Sequence, residues 1–196
     1  MKFRLRIPLT TSSEQLARLI LLQSTFAKVC NALAPVVQET KVWNRVALHH
    51  LTYRTLRAQF PDLGSQMICN AIYSVSRTSR AVFQSPQSPF NLQKLQGKPL
   101  PLLQFSDTCP VYFDRHTLSI KDGQLSMFTL DGRMRFALNL QAQDEEKFRT
   151  LKLNEVVLNR TAPEQFELTF SLGQVLPSEA NVNQELPTYV MVGQTL

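Results

Sequence analysis

Six side chains able to bond or stack on a polymer recur along one stretch of this chain. Gln66, Asn70, Tyr73, Arg77, Arg80 and Gln84 follow each other at steps of 4, 3, 4, 3 and 4 residues. A helix over Ser65 to Gln84 therefore lines them up on one side. The row holds amides, a phenol ring and two guanidinium groups, with no acid. Arginine bonds phosphates, asparagine and glutamine bond base and sugar edges, and tyrosine stacks on a base. The competing reading is a solvated polar face. On another side of the same helix, Ile68, Ile72, Val75 and Val82 make an apolar stripe that would meet a core.

Two more cationic sets accompany that row. His50, Arg54 and Arg57 share one face of a helix expected over 44–59, with Trp43 and Ala47 just before them in the same row. Lys2, Arg4 and Arg6 alternate with Phe3, Leu5 and Ile7, which reads as a strand with its cations outward. Arg133 and Arg135 alternate in the same way in a later strand. If those two strands pair, five cations converge beside the basic helices. Such a groove tracks a nucleic-acid backbone and loses affinity as salt rises. The competing reading is a pair of ordinary outward strand surfaces.

Catalytic chemistry finds little support. Phosphoryl transfer on two metals needs clustered carboxylates, whereas Asp144-Glu145-Glu146 reads as a solvated turn and the other acids are scattered. His49 and His50 are neighbours, about 100° apart on a helix, so they cannot face one site together. His116 stands alone in a turn. There is no nucleophile elbow, zinc-protease helix or P-loop. Cys30, Cys69 and Cys109 are too dispersed for zinc and read as buried free thiols. No enzyme activity, metal or cofactor is expected.

The charge is uneven. The chain has 196 residues and a net charge of +6. Residues 1–83 carry 11 Lys/Arg against 3 Asp/Glu, residues 84–196 carry 10 against 12, and no basic residue follows Arg160. A basic half points to a polyanion, most commonly nucleic acid; charge alone also allows a ribosome-like or membrane-surface role. No apolar run approaches the roughly 18–20 residues of a membrane span, and the start lacks a signal-peptide core. A cytoplasmic protein without a membrane partner is expected.

The elements that must position these residues follow from period and breakers. After the strand at 1–9, a capping box at Thr11/Glu14 or Ser12/Gln15 starts a helix that Pro35 closes or kinks, with a short helical piece over 36–41. The helix over 44–59 buries Leu48, Leu51, Thr55 and Ala58, and Ser65 caps the next one. Pro86, Pro89, Pro99 and Pro101 mark a linker over 86–99. From there the period is two: strands are expected at Val111–Asp114, Leu118–Lys121, Leu125–Leu130, Met134–Leu140, Thr150–Leu158 and Phe166–Leu172, with hairpin turns at Asp122-Gly123 and Asp131-Gly132. The first strand has no strand neighbour before residue 100, so its partner must be this late sheet. The fold expected is α+β: an oligonucleotide-binding-like antiparallel β-barrel from 1–9 plus 100–196, with a helical bundle over 10–85 inserted after the first strand.

Three runs resemble the N-terminal half of the TnpB proteins, transposon-encoded relatives of type V CRISPR effectors. Phe26-Ala27-Lys28-Val29-Cys30-Asn31-Ala32-Leu33 is similar to that family's first-helix pattern. The run from His50 to Gln66, through Tyr53, Leu56, Arg57, Phe60, Pro61, Leu63 and Ser65, resembles its Y-x-x-L-R-x-x-F-P-x-L-x-S-Q pattern and is the most specific. Leu125 to Arg135, through Asp131-Gly132-Arg133, resembles a hairpin of the family. The resemblance implies a wedge barrel and a helical recognition lobe that hold a structured guide RNA and its duplex with target DNA. It also implies a following RuvC-like nuclease domain opening on a catalytic Asp; Thr195 stands at that position.

The expectation is therefore a non-catalytic nucleic-acid-binding module that takes a structured guide-type RNA, with target DNA as a further partner. Its contacts would be Lys2, Arg4, Arg6, His50, Arg54, Arg57, Gln66, Asn70, Tyr73, Arg77, Arg80, Arg133 and Arg135. The alternatives are one subunit of a split nuclease, whose RuvC-like half docks as a separate chain on residues 164–196, and a protein adaptor or inhibitor built on the same fold.

Overall fold

The computed structural model describes residues 2–173 and 185–193; Thr195 and part of the 164–196 stretch lie outside them. Strand β1 (Lys2–Pro8) leads into three helices, α1 (Ser13–Thr40), α2 (Arg45–Gln59) and α3 (Ser65–Phe83). A helical turn, α4 (Leu92–Leu95), precedes β2 (Leu103–Phe105), β3 (Val111–Phe113), β4 (Leu118–Lys121), β5 (Gln124–Thr129) and β6 (Gly132–Ala137). Helix α5 (Ala142–Thr150) is followed by β7 (Leu153–Ala162), β8 (Gln165–Gly173) and β9 (Val190–Val192).

The strands form three antiparallel sheets, ordered β1-β8-β7-β3, β2-β9 and β4-β5-β6. The fold is mixed α+β as expected, but none of the described sheets closes into a barrel. The first strand does pair with the late sheet, from Lys2 opposite Gly173 to Pro8 opposite Glu167. Both Asp-Gly turns are hairpins, β4–β5 and β5–β6. Asp122 and Gly123 both take positive φ (50° and 71°), the backbone a two-residue turn of this hand demands.

In the four-stranded sheet, directly opposed residues share a face. Leu5, Phe170, Val156 and Phe113 form one cross-strand row, and Ile7, Leu168, Leu158 and Val111 the next. These rows are the core face, and Phe148 of α5 meets Phe170 edge-on at 5.0 Å. One apolar cluster runs from this face through α1, α2 and α3.

Several local expectations change. Helix α1 runs straight through Pro35. The missing bond and ring clash cost about 3 kcal/mol, but Leu33, Ala34 and Val37 on either side are buried and hold the turn in place. The capping box is the Ser12/Gln15 one, with both reciprocal bonds made. By length and composition α1 could cross a membrane, yet ten of its residues are buried in the protein. Helix α2 buries Leu48, Thr52 and Leu56, a pure four-residue step, and leaves Leu51, Thr55 and Ala58 exposed; Leu51 is 54% exposed. Trp43 lies before α2, buried against Phe83 at 5.4 Å, so it is not part of the His50 row. Gly64, not Ser65, precedes α3, and no side chain caps that helix. The linker is partly built: Asn91 caps α4 and bonds the Ser85 carbonyl. Asp144-Glu145-Glu146 is not a turn but lies in α5, where Lys147 pairs with Asp144 and Arg149 with Glu146. Strands β2 and β9 are too short for periodicity to reveal.

Phe26 is fully buried at the centre of α1. Phe26→Ala should cost about 3–5 kcal/mol through the packing it removes and the cavity it leaves, whereas Leu51→Ala should stay within about 0.5 kcal/mol. Urea unfolding followed by circular dichroism separates the two.

Candidate nucleic-acid interface

The register of the four-stranded sheet also defines an outer face. Arg4, Ser171 and Glu155 make one cross-strand row on it, and Arg6, Thr169, Val157 and Tyr112 the next. Cations thus stand on edge strand β1, small hydroxyl side chains lie on β8, and an acid and a phenol lie toward β3. Neighbouring strands are about 4.8 Å apart, so Arg6 and Tyr112 are separated by about 14 Å. Lys2, Arg4 and Arg6 are exposed, while Thr169 and Val157 are half-buried.

Helix α3 lies over the β3–β7 side of this face, and its polar row is what attaches it. Gln66 donates to the Asp114 carboxylate at 2.7 Å. Asn70, 5% exposed, donates to the Tyr112 carbonyl at 3.0 Å. Tyr73 Oη donates to Glu155 at 3.0 Å, and Arg77 bonds the same Glu155 oxygen at 2.8 Å. The Arg77 guanidinium also lies 5.7 Å from the centre of the Tyr112 ring. The row expected to face a ligand is therefore a seam between helix and sheet: its first four positions are bonded to the protein itself, although Gln66, Tyr73 and Arg77 stay partly exposed. Only Arg80 of its charged members is exposed. The physical reason is burial around most of the helix: Ser74, Ser76, Thr78 and Ser79 are buried as well as the apolar stripe, because α1, α2 and β3 all pack on α3.

The electrostatics of the seam follow from that burial. Desolvation raises the Tyr73 phenol above its ordinary value, and the Glu155 charge beside it raises it further. Tyr112 is pushed well above its ordinary value, chiefly by burial. Burial by itself would lower Arg77, but the charges that face it, Glu155 at 2.8 Å above all, outweigh burial and hold the guanidinium charged.

The other expected residues separate into groups. Lys2, Arg4 and Arg6 share the outer face with Tyr73 and Arg77. Arg57 is drawn down onto the Leu63 carbonyl at 2.5 Å, where it closes the α2–α3 turn. His50 and Arg54 are exposed two positions beyond the buried Leu48 and Thr52, so they point away from α3. Arg133 and Arg135 do not pair with β1: they stand on β6, whose partner is β5. Arg133 lies over the Phe128 ring at 4.2 Å. That hairpin is tied to the start of α1, where Gln15 donates to the Arg135 carbonyl at 3.1 Å and Arg18 pairs with Asp131 at 2.8 Å. The five-cation cluster is thus reduced to three on β1.

A second row on α2 replaces the one expected. Arg45, His49 and Tyr53 recur at four-residue steps. The Arg45 guanidinium lies 5.1 Å from the Tyr73 ring centre, and the His49 ring stacks on Tyr53 at 4.6 Å. The four-residue spacing of this row is legible in the sequence, but so is that of the row one residue on, through His50 and Arg54, and spacing alone does not rank them. Arg45, Tyr73, Arg77 and Glu155 form one chain of contacts leading onto the outer face. Among the described residues, no three His, Cys, Asp or Glu side chains gather to hold a metal. The chain matches no protein-family model and no curated protein sequence.

The seam sets two expected outcomes. Arg77→Leu should destabilise the fold more than Arg77→Leu/Glu155→Leu, because the single variant leaves a half-buried carboxylate unpaired; a coupling of about 1–2 kcal/mol is expected for a pair this exposed. Denaturant melts of the two single variants and the double variant measure it. The raised phenols of Tyr73, Tyr112 and Tyr189 mean that the folded state keeps protons the unfolded chain loses above an ordinary value of 10.0. Their contribution is complete below that pH and falls as pH rises past it, so the urea midpoint should drop between about pH 9.5 and pH 11.

Proposed function

We propose that this protein is a nucleic-acid-binding module that takes a structured, guide-type RNA, in the manner of the wedge and recognition lobes of TnpB-like proteins. The observation that carries the reading is the outer face of the four-stranded sheet. Lys2, Arg4 and Arg6 stand there at steps of about 6.7 Å along one strand, exposed and with no ion pair among the described residues. Beside them lies a strip bearing hydroxyl groups, bounded on its far side by Tyr73, Arg77 and Arg45. Phosphates would lie along β1, and sugar hydroxyls would meet the half-buried Thr169.

The finer fold reading that goes with this function is a wedge of oligonucleotide-binding type, open in its described part, with the helices inserted after its first strand. It is supported by the return of β1 to the late sheet across the whole helical unit. Target DNA would reach the complex through the RNA. Of the helix residues, Arg80 and Arg45 remain available as contacts; Gln66, Asn70 and Arg57 serve the fold in this reading.

The test is filter binding of the RNA that co-purifies with the protein from its own cell. Arg4→Glu/Arg6→Glu should weaken binding by more than about tenfold and flatten the slope of log affinity against log salt by about 2, one for each phosphate no longer neutralised. His50→Ala/Arg54→Ala should bind as the unaltered protein does. A purified protein with the ultraviolet spectrum of bare protein, or equal affinity for both double variants, would overturn the reading.

A further inference from the structure

The four-stranded sheet ends at β1, and the chemistry of that edge specifies a partner. Leu9 donates its backbone N–H to the Phe166 carbonyl at 2.9 Å, one step beyond the Pro8–Glu167 pair. In an antiparallel ladder, opposed residues alternate between pairs that exchange both bonds and pairs that exchange none. Phe3, Leu5 and Ile7 are in phase with Leu9, so their main-chain groups turn toward β8. Lys2, Arg4 and Arg6 turn their N–H and C=O groups outward. No described strand lies beyond β1, and no described group bonds those atoms.

The two faces of β1 state what would fit there. On the outer face, the residues whose main-chain groups no described residue bonds carry the three exposed cations. On the inner face, Phe3 and Leu5 are only half-buried, although Leu172 and Phe170 opposite them are completely buried. The inner face is thus less deeply covered along this edge, where Leu5 meets the core and the Lys147 ammonium lies over the Phe3 ring at 5.4 Å. An added strand would continue both faces, with carboxylates beside Lys2, Arg4 and Arg6 and apolar side chains beside Phe3 and Leu5. A second copy of β1 does not meet that requirement, since it would set cations against cations.

We propose that the edge of β1 that no described strand pairs is a docking site for an extended polypeptide segment of a partner protein, in which acidic and apolar side chains alternate. Main-chain bonds to Lys2, Arg4 and Arg6 hold the segment, and its alternation sets which face each side chain takes. Its carboxylates occupy the cations assigned above to phosphate, so segment and RNA exclude each other.

The probe is a fluorescent peptide of alternating Glu and Val, titrated with the full chain and followed by anisotropy. Two controls keep its charge and composition: one sorts the residues into a Glu block and a Val block, and the other carries N-methyl groups on alternate amides, in either phase. The alternating peptide should bind, and the block peptide and one N-methyl phase should bind more weakly by about fivefold or more, the loss expected for one or more hydrogen bonds. Arg4→Pro, which removes an outward N–H at an edge position that tolerates proline, should weaken binding below that of Arg4→Ala. Equal binding of all four peptides, the alternating one, the block one and the two N-methyl phases, would reduce the effect to charge and overturn the proposal, as would absence of binding. Because the peptide controls need no variant, the result stands even if Arg4→Pro does not fold. RNA binding that survives while the peptides fail to discriminate would sink this inference and leave the function proposed above intact.

Discussion

The pairing of β1 with β8 is the constraint on which the rest of the structure depends. It joins the first strand of the chain to a strand that comes more than 150 residues later, and everything between must fit inside that closure. Closing a long loop is less costly than its length suggests, since each doubling adds only about 0.6 kcal/mol. What offsets the cost is the core face: Leu5 and Ile7 complete the rows of Phe170 and Leu168, and those rows continue through β7 to β3. The same closure places Lys2, Arg4 and Arg6 on the face that α3 approaches. Stability and the candidate interface therefore rest on one register. A slip of a single residue would turn the cations inward and Phe3, Leu5 and Ile7 outward.

The second organising feature is the seam between α3 and the sheet. A helix buried around most of its circumference cannot satisfy its polar side chains with water alone, so they need partners in the protein. Gln66, Asn70, Tyr73 and Arg77 find theirs on Asp114, the Tyr112 carbonyl and Glu155. Three other polar atoms of the packed helices, Gln23 Oε1, Ser74 Oγ and Ser79 Oγ, are buried without a partner among the described residues. The seam fixes the helical unit against the outer face and brings Arg45 to its rim. It also matches the charge of Glu155 with Arg77, which leaves Glu167, opposite Pro8 at the end of the outer face, as the acid of the strip beside β1 with no ion pair among the described residues.

These two features account for how the candidate site differs from the row of residues that first suggests it. Helical spacing correctly groups Gln66, Asn70, Tyr73 and Arg77 on one side of α3. It cannot say whether that side meets solvent, a ligand or another element, because the same amides and guanidinium group serve all three. The alternation of β1 carries more, since a strand with apolar residues on one face must leave the other face away from the core. For that reason the cations of β1 are where the sequence places them, while those of α2 and α3 are redistributed.

The amino-acid sequence by itself determined the type and limits of most long elements, the two Asp-Gly hairpins, the core stripe of α3 and the return of the first strand to the late sheet. These depend on periodicity, turn chemistry and the need of an isolated strand for a partner, all of which are local or nearly so. Tertiary structure alone decided that α1 continues through Pro35, that the Arg45 side of α2 faces α3, and that β6, already paired with β5 in its hairpin, does not also take up β1. It also decided that the described sheets stay separate. Each of those outcomes turns on which neighbour buries a given face, and that is a property of the packed molecule, not of any one segment.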